Sequence, residues 1–199
     1  METEAEPPAE KKETWLDFLR FAALATVIVL PIRLFIAQPF IVSGASMVPN
    51  FENGNYLIID ELSYRFEEPK RGEVVVFRFP FERTRFLIKR IAGLPKETLI
   101  IKDDTITIKN AAHPEGFAWE QGTIRSSRRG AEQTVALGEN EYFVLGDNRD
   151  ESADSRLWGV LSRELITGRP LIRLFPLSQI GLFPGVWPNN EGAANGRPL

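Results

Sequence analysis

Three short stretches of this chain carry side chains able to do chemistry, and each sits in apolar or turn-forming company. Ser46 lies in SGASMVPN, Lys89 lies in RFLIKRIAGL, and the run GDNRDESADSRLWG from Gly146 to Gly159 gathers carboxylates, arginines and hydroxyls. A serine hydroxyl attacks a carbonyl only when a neighbouring base takes its proton. The chain has a single histidine, His113 in AAHPEG, and no cysteine. Thiol nucleophiles, cysteine-ligated zinc, disulfides and histidine-cluster metal sites are therefore excluded. His113, between loop formers, reads as a solvent-exposed loop residue. The base must then be a carboxylate, a lysine or an N-terminal amine, and Lys89 has the most suitable surroundings. In an extended strand Leu87, Lys89 and Ile91 point to one face and Ile88 and Arg90 to the other, so one of the two cations must point with apolar neighbours. Burial disfavours the ammonium, and a fall of about two to three pH units from about 10.4 lets a lysine act as a base near neutrality. Arginine cannot be tuned this way, so of the two cations only Lys89 is a candidate base.

Around Ser46, Gly44, Ala45 and Pro49 permit a tight turn and the close approach of a peptide backbone. Taken alone, such a stretch is an ordinary surface turn. The Gly146–Gly159 run is too rich in charges and turn formers for a strand and reads as a loop. Asp147, Asp150, Glu151 and Asp154 within it offer a calcium loop as a competing use.

The elements that must position these groups are mostly strands. Segments 56–62, 73–79, 85–94, 98–110, 141–146 and 169–175 are β-type, and Asp103-Asp104 between two β-rich runs of similar length predicts a hairpin with a tight turn. The polar, glycine-containing stretch at about 111–133 predicts a protruding loop or ribbon. A β-rich catalytic domain is expected over 38–185 and a flexible tail over 186–199. Before it, residues 21–32 are uncharged and apolar but for Thr26, and continue past Arg33 as LFIA, about 17 residues with one charge, at the short end for a spanning helix. Residues 15–37 are accordingly expected to be a transmembrane anchor, with Trp15 at one interface. Lys11, Lys12 and Arg20 favour a cytoplasmic N-terminus, with residues 1–14 a disordered tail and the domain on the outer face. A net charge of -3 argues against a nucleic-acid surface, and the basic patch IRSSRRG at 124–130 reads as a solvated loop.

In this order, behind a membrane-length segment, the three boxes resemble those of the type I signal peptidases, membrane-bound serine proteases that cut signal peptides from exported proteins. The resemblance runs from about Thr14 to Pro176. It implies a mainly β fold: one N-terminal transmembrane helix followed by a β-rich signal-peptidase-type domain. It selects Ser46 over Ser43 as nucleophile, because the family's serine directly precedes a methionine, here Met47. It makes Lys89 the general base, Ser152 the hydroxyl that orients the lysine amine, and Asp154 with Arg156 a supporting ion pair. Asp147 and Arg149 match as structural members. The oxyanion donor it implies is the backbone N–H of Ser46, with Gly44 where some members carry a hydroxyl and others glycine. Phe40, Val42, Met47 and Ile88 would line shallow pockets for small substrate side chains one and three residues before the cut.

The same resemblance implies no cofactor and no metal, with signal peptides of exported preproteins and the lipid bilayer as partners. Nucleic acid is not a partner, the chain is expected to be monomeric, and its place is the plasma membrane. The sequence departs from the family pattern at PNF for PTL, at LPKET for LPGD, and at Glu151 where asparagine is usual. An extra carboxylate at Glu151 would raise the lysine pKa if it lay close. Two other classes remain open at this point: a non-catalytic membrane-anchored binding protein, and a self-cleaving Ser-Lys regulator.

Overall fold

The computed structural model describes residues 15–31, 37–102, 105–119 and 132–186. The predicted 1–14 tail, Arg33, the Asp103-Asp104 turn, the 124–130 patch and residues 187–199 lie outside the described residues. The chain divides into two compact units, residues 1–36 and residues 37–199.

In the first unit the apolar run forms a 17-residue helix α1, Trp15–Pro31. Arg20 pairs with Asp17 one turn back, at 3.3 Å on the exposed surface. Thr26 returns its hydroxyl hydrogen bond to the Ala22 carbonyl at 2.8 Å, so the one polar side chain in the apolar stretch is satisfied within the helix. At about 1.5 Å per residue the helix is about 26 Å long, below the ~30 Å hydrocarbon core of a bilayer. Among the described residues no helix is long and apolar enough to cross a membrane.

The second unit is mainly β, as the alternating segments require. One eight-stranded antiparallel sheet runs in the order β1 (Ala37–Ile41), β2 (Tyr56–Asp60), β11 (Ile166–Phe175), β3 (Val74–Phe79), β4 (Glu82–Gly93), β9 (Glu141–Leu145), β10 (Leu161–Ser162), with β12 (Gly181–Leu182) paired to β11. A four-stranded sheet runs β7 (Phe117–Ala118), β6 (Thr105–Lys109), β5 (Thr98–Lys102), β8 (Gln133–Ala136). The hairpin of β5 and β6 pairs in register from Thr98↔Lys109 to Lys102↔Thr105. Of the predicted loop or ribbon at about 111–133, the described residues include β7 and the first residue of β8. Trp119, following β7, is buried with Ile106 and Ile108 of β6.

The central strands are covered on both faces, and their period-two alternation divides them between separate cores. Val75 and Phe77 of β3 pack with Ile91, Tyr142, Val144 and Leu161. Val74 and Val76 pack instead with Val42, Met47, Phe51, Leu57 and Ile59. From β9, Phe143 and Leu145 turn to a third core against Leu99, Ile101 and Ile108 of the smaller sheet. Strand β4, between β3 and β9, therefore passes its second half through the middle of the domain. The sequence calls for one inward cation there, yet both Lys89 and Arg90 are buried.

Candidate active site

Ser46 follows β1 in a turn held by its own backbone. Val42 N–H donates to Asn55 O at 2.9 Å, Gly54 N–H to Val42 O at 2.9 Å, and Phe51 N–H to Met47 O at 2.9 Å. Gly44 has φ +96, a conformation that L side chains rarely adopt, and its N–H donates to the Asn53 side chain at 3.0 Å. A hydroxyl-bearing residue at this position would be strained, although the space beside it is open. Met47 turns under the loop into the core, 1% exposed, and does not line the groove above; its predicted pocket role is thus corrected by its packing against Val42, Phe51 and Val76.

Lys89, from β4, donates its Nζ to Ser46 Oγ at 2.6 Å and to the Ile88 carbonyl at 3.0 Å. With the lysine 3% exposed, burial pushes its pKa down from 10.5 to about 8. The carboxylates of Asp154 and Asp147 pull it partly back up, and the Arg85 cation lowers it further. Glu151, the unusual residue of the third box, is exposed on the groove wall and is not among the groups that move the lysine.

The third box folds back on the end of β9. Asp154 caps the short helix α2 (Ser155–Trp158), accepts from Gly146 N–H at 3.0 Å, and is gripped by Arg156 through Nε at 2.8 Å and Nη2 at 2.9 Å. Arg156 also reaches the Arg149 carbonyl at 2.7 Å, and Arg149 Nε the Gly146 carbonyl at 2.9 Å. Asp147 is bound to Arg90 by two bonds, at 2.8 and 2.7 Å, and accepts from Asn50 Nδ2 at 2.8 Å. The two innermost acids of the supposed calcium loop are thus occupied by arginines. Among the described residues no three His, Cys, Asp or Glu side chains gather to hold a metal.

Asn148 N–H donates to Ser46 O at 3.0 Å, so the third box touches the serine directly. A Cβ added to Gly146 would sit 2.2 Å from Ser152 Oγ and 2.6 Å from Ser46 O, which leaves glycine as the residue that fits between them. Ser152 itself is 3% exposed, and its hydroxyl has no hydrogen-bond partner among the described residues. The lysine contact expected of Ser152 is therefore not made in this conformation.

Above the serine and lysine lies a groove of about 300 Å³ whose walls include Phe40, Val42, Phe79, Phe86 and Ile88 with Ser46 and Lys89 at its floor. Of the four predicted pocket residues, Phe40, Val42 and Ile88 face it. Asn50, Arg85 and Arg90 were missed as site residues. Arg90 had the signal of lying beside the lysine, whereas Arg85 and Asn50 carried none. His113 is half-buried rather than free, with its ring edge-on to Phe117 at 5.2 Å and Nδ1 3.6 Å from Glu115.

A serine hydroxyl within hydrogen-bond reach of a buried, easily neutralised lysine, at the floor of an apolar groove on a β scaffold, is equipment for nucleophilic hydrolysis. Residues 15–175 match the family model of signal peptidase, peptidase S26. A probable signal peptidase I-2 from Synechocystis is 30% identical over 91% of this chain and 83% of its own length. Signal peptidase I T from Bacillus subtilis is 31% identical over 89% of this chain and 95% of its own. A solved signal peptidase I from Enterococcus faecalis superposes with a TM-score of 0.43 at 27% identity, covering 52% of this chain and 97% of that one. The chain belongs to the signal peptidase family, peptidase S26, and is a serine peptidase.

Proposed function

We propose that this protein removes N-terminal signal peptides from exported preproteins, with Ser46 as nucleophile and Lys89 as general base. The observation that carries the assignment is the 2.6 Å contact between Lys89 Nζ and Ser46 Oγ, made by a lysine whose pKa burial has brought to about 8. In the neutral form Lys89 accepts the Ser46 proton as Oγ attacks the scissile carbonyl. The oxyanion that develops is met by the backbone N–H of Ser46, with no side-chain donor at Gly44. Collapse transfers the lysine proton to the departing amine and leaves an ester on Ser46. Lys89, neutral again, then takes a proton from water, whose attack releases the acid and restores the hydroxyl.

The apolar walls formed by Phe40, Val42 and Ile88 suit small substrate side chains one and three residues before the cut, because a shallow pocket selects by excluding larger groups. Asp154, Arg156, Asp147 and Arg149 hold the loop that touches Ser46, and Ser152 orients the lysine once the amine moves off Ser46. Residues 15–37 anchor the chain in the plasma membrane as a single span, with the N-terminus cytoplasmic and the domain on the outer face. The apolar continuation LFIA beyond Arg33 supports that span. The protein acts as a monomer and uses no cofactor.

Cleavage of a preprotein in detergent, with the new N-terminus sequenced, tests the assignment. Wild type is expected to cut after a small residue, and Ser46→Ala and Lys89→Ala to lose at least about 10³-fold in kcat. Undiminished cleavage by Ser46→Ala would sink it.

A further inference from the structure

Beyond Lys89, two charged side chains line the groove, Arg85 and Glu151. Both are exposed, and neither has an ion pair or a side-chain hydrogen bond among the described residues. Two residues before Arg85 on the same strand, Arg83 pairs with Glu164 at 3.2 Å. Arg85 is held at the groove by its contact with an aromatic ring, its guanidinium carbon lying 6.0 Å from the centroid of Phe79. Phe79, itself a wall residue, is braced edge-on against Trp158 at 6.0 Å. The groove therefore keeps one cation and one anion unspent where a peptide would enter.

We infer that Arg85 and Glu151 read the charge of the substrate on either side of the cut, Arg85 favouring an acidic side chain and Glu151 a basic one. The inference rests on the groove being the peptide cleft of the proposed reaction. Arg85 stands four residues before Lys89 on the same strand, so its Cα is about 13 Å from that of the base. An extended substrate places a side chain within its reach no more than about four residues from the scissile bond. Glu151 lines the same groove from the third box, three residues after the Asn148 amide that touches Ser46. A charge pair at a half-solvated mouth changes kcat/KM by about three- to fivefold, enough to rank preproteins without deciding whether they are cut.

The test uses peptides with alanine one and three residues before the cut and a single Asp, Gln or Lys at each remaining position within four residues of it. For each enzyme, kcat/KM for the Asp and Lys peptides is divided by that for its own Gln peptide, which removes any general loss of activity. Wild type is expected to prefer Asp over Lys at a position served by Arg85, with Arg85→Gln abolishing the preference and Arg85→Glu reversing it. Glu151→Gln is expected to lower the Lys ratio at a different position. Asp-to-Lys ratios that agree within about 1.5-fold between wild type and Arg85→Glu at every position overturn the Arg85 assignment. Ratios equally unmoved by Glu151→Gln overturn the other half. A Gln peptide left uncut by wild type contradicts the peptidase reading of the groove itself, and the inference with it.

Discussion

Arg90 clasps Asp147 through two bonds, at 2.8 and 2.7 Å, with both side chains fully buried, one residue along from the lysine and one residue before the Asn148 amide that holds Ser46. The pair locks the strand that carries the base to the loop that carries the serine's support. Arg90 also donates to the Gly72 and Gly185 carbonyls at 2.7 and 2.8 Å, which ties the C-terminal end of the described chain into the same junction.

Breaking that pair from one side leaves a buried charge without its partner. Arg90→Ala and Asp147→Ala should each cost about 3–5 kcal/mol in urea unfolding of the full chain in detergent. They should also lower kcat, because the Ser46 carbonyl loses its fixed donor. Losses below about 1 kcal/mol in both variants would show the junction to be dispensable.

Lys89 sits where its charge is unwelcome, and this should be visible in stability as well as in rate. Its folded pKa, about 8, lies below the ordinary 10.5. Below pH 8 the lysine is charged in both folded and unfolded states, so the cost of burying the ammonium is fully present. Between 8 and 10.5 the folded state has shed a proton that the unfolded state keeps, and stability rises with pH. Lys89→Met should therefore be more stable than wild type by about 3 kcal/mol at pH 7, with the gain shrinking as pH climbs toward 10.5. Denaturation midpoints at pH 7 and pH 10 measure it, and a pH-independent difference would contradict the burial argument.

Gly44 offers no backbone on which a side-chain oxyanion donor can be seated without strain, since its φ is +96. Gly44→Ser is expected to lose about 1–2 kcal/mol of stability without raising kcat, even though open space surrounds the position. A faster enzyme of undiminished stability would mean that the turn rearranges.

The Ser152 hydroxyl is buried with no partner among the described residues, so removing it relieves an unsatisfied group. Ser152→Ala should be as stable as wild type or slightly more so, yet lose kcat by about 10-fold or more, because the lysine amine loses the hydroxyl that receives it after proton transfer. Unchanged kcat would confine Ser152 to a packing role.

Much of this was legible in the residues because it was local. The 98–110 hairpin was legible as two β-rich runs of similar length about Asp103-Asp104, and its strands pair from Thr98↔Lys109 to Lys102↔Thr105. Lys89 stood out because its neighbours along the strand are apolar. What stayed hidden depended on contacts distant in sequence. Alternation predicts one inward cation in the Lys89-Arg90 pair, and it fails because β4 is covered on both faces and Asp147, 57 positions along the chain, neutralises Arg90. Met47 was expected to line a pocket, but the turn directs its side chain into the core. Asn50 and Arg85 look like ordinary polar residues until the fold brings Asp147 to the first and the groove to the second.

Activation of Ser46 by a lysine that burial makes neutral should be read in the pH dependence of kcat/KM on a neutral peptide. The rate is expected to rise through a single deprotonation near pH 8, in step with the pKa of about 8 that burial gives Lys89, and to vanish in Lys89→Ala. A profile flat from pH 6 to about 10, or one whose rising limb survives the loss of Lys89, would contradict it.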